Sequence, residues 1–172
     1  VQYTLGEDLQ FVLDYIALLG QTVPEFGYRV MTSPLTFYDC SRGGTLSTRY
    51  HANYCEIWPK HFAKLNAACT VAACPPQDML PLHRAELQVL AEGAADILRR
   101  DPNAMPARRA KARTALQSPW LKSLLDTMRH EHCYSPYYLP CRWNSLRLLW
   151  MLSEAARTQS PLFGKLDWAG YY

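Results

Sequence analysis

Charge is scarce in this sequence. Aspartate, glutamate, lysine and arginine make up 19% of its 172 residues and leave a net charge of +3 at pH 7. That balance is too small to imply nucleic acid, and no specific nucleic-acid partner is expected. Long apolar runs are missing as well. No stretch reaches 18 apolar residues, and "LLWML" at 148–152 is the longest run of the C-terminal half. A bilayer crossing takes about 20 such residues, so the expectation is a water-soluble chain or one docked on something large. No Asn-x-Ser/Thr acceptor occurs, because Asn53, Asn66, Asn103 and Asn144 all lack a hydroxyl residue two positions on. This disfavours a eukaryotic secreted glycoprotein. No signal peptide or amphipathic presequence is visible, and Val1 in first place leaves a removed leader or a trimmed chain as the two origins. There is no internal repeat and no low-complexity tract.

What is present is a folding composition, 49% apolar, at a length that suits one domain. A single, mostly α domain over 1–172 is predicted, with about five helices and extended, turn-rich arms. "TLGEDLQFVLDYIALLG" opens with a Thr4–Glu7 capping box and spaces Leu9, Val12, Leu13, Ile16 and Leu19 helically up to Gly20. Residues 21–49 have no period and carry Pro24, Pro34 and Gly43-Gly44, which reads as an extended arm wrapping a neighbour. "GYRVMT" inside it allows an edge strand, but one strand makes no sheet. A helix is expected from Pro59 to about residue 68, with Pro59 in its first turn and a short helix before it as the alternative. "QDMLPLHRAELQVLAEGAADILRR" predicts a long helix with Leu82, Leu87, Leu90, Ala94, Ile97 and Leu98 on one side, slightly weakened by Gly93. "ARRAKARTALQ" predicts a short basic helix. "SPWLKSLLDTMRHEH" has Ser118 as N-cap and Pro119 at the first helical position. "CRWNSLRLLWMLSEAAR" reads as one last, apolar helix, and 160–172 as an irregular aromatic tail.

Six cysteines occur: Cys40, Cys55, Cys69, Cys74, Cys133 and Cys141. They allow fifteen pairings, and spacing does not choose among them. One pair stands out. In "HCYSPYYLPCRW" Cys133 ends one helix and Cys141 opens the next, around a loop stiffened by Pro136 and Pro140. A short loop favours an antiparallel hairpin, and a disulfide across it would stabilise by roughly 2–3 kcal/mol. A Cys133–Cys141 staple is therefore predicted, with the pairing of the other four left open. His130, His132, Cys133 and Cys141 supply zinc-type donors, but their spacing fits no common zinc pattern, and His51 with Cys55 is half a site. No metal and no cofactor are expected.

"RHEHCY" at 129–134 resembles the helix motif of secreted phospholipases, in which a histidine and a following aspartate precede a Cys-Tyr pair. The resemblance implies His130 as general base, with Glu131 in the place of the calcium-binding aspartate. The glycine-rich calcium loop is missing, since "ARTALQSPWLKSLLDTM" contains no glycine. No hydrolytic activity is expected. "CSRGGTLSTRY" has two glycines but lacks the Lys-Ser/Thr of a phosphate loop.

The strongest charge feature is "RRDPNAMPARRAKAR", where Arg99, Arg100, Arg108, Arg109, Lys111 and Arg113 face only Asp101. Arg108, Arg109, Lys111 and Arg113 predict a surface for an acidic protein partner or anionic lipid headgroups. Trp168, Tyr171 and Tyr172 in the tail predict further partner contact. No nucleophile, base and orienting group come together. The expected role is a non-catalytic accessory subunit of a larger assembly, whose partners are its other protein subunits. Helix pairs held by cysteines resemble accessory proteins of the mitochondrial intermembrane space. Those use Cys-x9-Cys spacing, whereas the intervals here enclose 14, 13, 4 and 7 residues, so the family is not assigned. The compartment stays favoured because it is oxidising and holds large respiratory complexes. A secreted, disulfide-stabilised helical binding protein is the alternative, and a small lipid hydrolase using His130 the third reading.

Overall fold

The computed structural model describes residues 50–71 and 73–158, together with Asp14, Tyr15 and Leu18. These are about 78% helical and include no strand. Six helices follow in order: α1 (Tyr54–Val71), α2 (Pro76–Arg100), α3 (Met105–Leu116), α4 (Pro119–His130), α5 (Tyr138–Arg142) and α6 (Leu146–Arg157). Asp14, Tyr15 and Leu18 are helical, in keeping with a first helix there. The arm, its candidate strand and the aromatic tail lie outside the described residues.

The long helix α2 is the axis, and α1, α3, α4 and α6 all pack on it. Its sequence explains why it can be surrounded. Leu87, Leu90, Ile97 and Leu98 are buried as expected, and Ala91, Ala94 and Ala95 are buried beside them. Large side chains anchor the packing while the alanines let neighbouring helices come close. Leu121, Leu124, Leu125 and Met128 of α4 meet this face, and Tyr137, Cys141 and Leu149 close it. Each such leucine contributes roughly 1.5–3 kcal/mol on burial.

Helix starts follow the sequence closely. Ser118 accepts a hydrogen bond from the Leu121 N–H at 3.3 Å and caps α4. Helix α1 departs from expectation: it is continuous from Tyr54, with Pro59 inside it rather than at its start. The missing N–H of Pro59 forfeits the bond to the Cys55 carbonyl, but Asn53 already receives the Glu56 and Ile57 amides at 2.9 and 3.0 Å and starts the helix upstream.

Three helix ends share one device. Ala73, His132 and Asn144 have positive φ of 50°, 52° and 50°. The amides that follow them bond back five residues: Cys74 to Cys69 O at 3.0 Å, Cys133 to Met128 O at 2.8 Å and Ser145 to Pro140 O at 2.9 Å. These are Schellman ends, built here without glycine. The third one splits the expected last helix, because Asn144 ends α5 and Ser145 then caps α6 through the Leu148 N–H at 3.4 Å.

The predicted Cys133–Cys141 disulfide is not formed, and no disulfide-stapled hairpin exists. The Schellman end turns the Cys133 Sγ–H toward the start of α2, where it donates to the Leu80 carbonyl at 3.5 Å. Cys141 is committed to the core inside α5. Both thiols are buried and free, as small apolar groups. Cys55, Cys69 and Cys74 are free as well, and Cys40 lies outside the described residues.

Candidate functional site

The basic run between α2 and α4 divides into two pairs with different fates. Arg108 is turned inward. Its Nε donates to the Asn103 carbonyl at 2.7 Å, and its Nη1 to the Leu98 and Arg99 carbonyls at 3.2 Å each. It therefore closes the C-terminal end of α2, where exposed carbonyls and the helix dipole favour a cation. Lys111 donates to Asp101 at 2.9 Å and to the Tyr50 hydroxyl at 3.2 Å. Tyr50 in turn donates to the same carboxylate oxygen at 2.6 Å. These bonds, with the Asn103 amide, hold the buried Asp101 carboxyl well below the usual carboxylate range, and Tyr50 contributes most. Arg99 and Arg100 are also occupied, by Glu154 and Asp96.

Arg109 and Arg113 lie one turn apart on α3, on the side away from these bonds. They line an open groove of about 800 Å³ between α3 and the start of α6. Arg147 joins them from α6. Leu98, Met105, Leu146, Trp150 and Met151 supply the apolar wall, with Met151 56% exposed. Among the described residues no carboxylate lines the groove. None of the three arginines has an ion pair among the described residues. The N-terminus of α6, capped by Ser145, opens into the same place and adds the positive end of its dipole. Trp150 is fixed on one face by the Arg99 guanidinium, 5.5 Å from its ring centroid. Chemically the groove suits a ligand that carries negative charge along one side and apolar groups along the other.

Arg147, Met105, Trp150 and Met151 were not singled out in the sequence. The available signal was the apolar excess of α6, which has more large side chains than one buried stripe can use. Trp143 is 64% exposed.

His130 and His132 are exposed and line a shallow surface depression with Asp126, Arg129 and Tyr134. Glu131, in the place of the calcium-binding residue, is engaged elsewhere: its carboxylate meets His83 Nδ1 at 2.7 Å. Among the described residues no group of three or more His, Cys, Asp or Glu is placed to hold a metal, and no helix is long and apolar enough to cross a membrane. Trp168, Tyr171 and Tyr172 lie outside the described residues.

No family model matches the chain, and searches of curated proteins and of solved structures find no match either. The described residues form a mostly α-helical structure organised around one central helix.

Proposed function

We propose that this chain is a non-catalytic accessory subunit that docks an acidic, apolar segment of a partner protein in the groove between α3 and α6. One observation carries the reading: Arg109, Arg113 and Arg147 converge on a groove that no carboxylate of the described residues lines and that has an exposed Trp–Met wall. Clustered aromatic, methionine and arginine side chains are what interface centres are rich in. Unpaired arginines also steer an acidic partner and fix its register. The same residues narrow the patch expected from the sequence, because Arg108 and Lys111 are used inside the fold. The free thiols remove the staple that favoured an oxidising compartment. The groove supports a subunit role in any compartment, a respiratory complex facing the intermembrane space among them.

A synthetic acidic amphipathic peptide, labelled for fluorescence anisotropy, tests the groove. Saturable binding should weaken by tenfold or more on raising salt, and by a similar factor in Arg109→Glu/Arg113→Glu. Arg108→Ala should leave binding within twofold and lower the melting temperature. Absence of binding, or binding indifferent to Arg109 and Arg113, overturns the reading. Charge-reversal-sensitive binding to anionic vesicles with none to the peptide does so too, and assigns the groove to lipid.

A further inference from the structure

Beside the N-terminal half of α2, a smaller cavity of about 110 Å³ is lined by Asn66 of α1, His83 and Glu86 of α2, and Trp120, Ser123 and Thr127 of α4. Glu86 is a carboxyl residue only 1% exposed. Its Oε1 accepts the Trp120 indole N–H at 2.5 Å. Its Oε2 is buried and has no hydrogen-bond partner, and the same is true of Asn66 Oδ1. Among the described residues, two buried acceptors from different helices thus lack a hydrogen bond of ordinary geometry on one cavity, although the Asn66 side chain stands near enough to Glu86 to lower its carboxyl. A buried acceptor without a donor is costly, so such a pair persists where something else supplies the hydrogens.

The surroundings specify that donor. Ser123 and Thr127 stand one turn apart on α4 and add hydroxyl oxygens to the lining. Trp120 and Leu124 add an indole and an apolar wall. The space of about 110 Å³ admits an ammonium head with a few methylenes. The charges nearby are compatible. His83 points its Nδ1 at Glu131, so any charge it carries is shared with that carboxylate. Burial raises the Glu86 carboxyl above its ordinary value, against smaller opposing effects of Trp120, His83 and Asn66. An incoming cation would return it to the ionised form.

We propose that this cavity binds a primary ammonium group, with Glu86 Oε2 and Asn66 Oδ1 as its main acceptors and the Trp120 indole as a wall. The ammonium belongs either to a small alkylamine or to the tip of a lysine side chain. The competing arrangement is internal: Glu86 keeps its proton and donates it to Asn66.

Nuclear magnetic resonance on the full chain tests the site through the Trp120 indole N–H, which is identified by its loss in Trp120→Phe. Titration with n-propylammonium chloride and with Nα-acetyl-lysine amide separates the two sources. Saturable movement of that resonance with either probe is expected, at least tenfold weaker in Glu86→Gln and absent with n-propanol or sodium chloride. Glu86→Gln should fold, because the amide has the shape of a protonated glutamate; a thermal melt checks this. Asn66→Ala should weaken binding by threefold or more as an independent arm. No saturable shift with either probe, equal shifts with n-propanol, or full binding in folded Glu86→Gln overturns the proposal. None of these outcomes bears on the α3–α6 groove.

Discussion

A Cβ atom placed on Gly93 would stand 2.5 Å from Cδ1 of the Tyr54 ring and 3.0 Å from the Cys55 sulfur. Gly93 sits in the interior of α2, where glycine is normally the weaker choice by about 1 kcal/mol relative to alanine. The Tyr54 ring takes the space instead, stacked obliquely on Trp58 with centroids 5.8 Å apart. The contact lets α1 approach α2. Overpacking costs about 1–3 kcal/mol, so Gly93→Ala should destabilise by roughly 1 kcal/mol net despite its higher helix propensity. Urea denaturation measures this. In a Tyr54→Ala background the same substitution should become neutral or stabilising. An increase in stability in the wild-type background would mean that α1 yields at that point.

The described thiols should behave as free groups of unequal reach. Burial pushes Cys55 and Cys141 up to about 12 and raises Cys133. Cys69 and Cys74, near the end of α1, are half-buried. Under native, non-reducing conditions alkylation should reach Cys69 and Cys74 first, and Cys55, Cys133 and Cys141 only after unfolding. Peptide mapping should find no link between Cys133 and Cys141. A linked peptide, or a melting temperature that falls in reductant and not in Cys133→Ser, would restore the staple.

Three helix ends place non-glycine residues in the left-handed region. For Ala73 and His132 this carries a cost of about 1 kcal/mol that glycine avoids. Ala73→Gly should raise stability by roughly 0.5–1 kcal/mol, measured by the denaturant midpoint. His132→Gly should act in the same direction. Asn144→Gly should do less, because asparagine tolerates this conformation well.

The Asp101 cluster predicts a particular acid limb. The folded carboxyl titrates below its unfolded value of 3.8, through the Tyr50 hydroxyl first, then the Asn103 amide and Lys111. A depressed carboxyl contributes stability that is present above the unfolded value and is lost as pH falls through and below it. Asp101→Asn should therefore lower the melting temperature near neutral pH, and the gap to wild type should close from about pH 4 downward. A gap that is constant with pH would mean that Asp101 acts by shape alone.

The sequence by itself determined the local terms: a mostly α chain, the spans of α2, α3 and α4, the Ser118 cap, and the apolar face of α2 that became the core. These rest on periodicity and on capping chemistry, which involve residues within one or two turns of each other. It also located the basic run that holds Arg109 and Arg113. What it left open depended on contacts far apart in the chain. Arg108 and Arg109 are neighbours with the same side chain, and only the position of the α2 carboxyl end decides that one is consumed and the other is free. Gly93 reads as a weakness until Tyr54, 39 positions earlier, is found in its space. The spacing of Cys133 and Cys141 permits a disulfide, but spacing carries no side-chain direction. The left-handed turn at His132 aims the first thiol at Leu80 and core packing holds the second in α5. Glu86, an ordinary polar position in a helix when read alone, becomes a buried carboxyl because Trp120 and Asn66 arrive from two other helices.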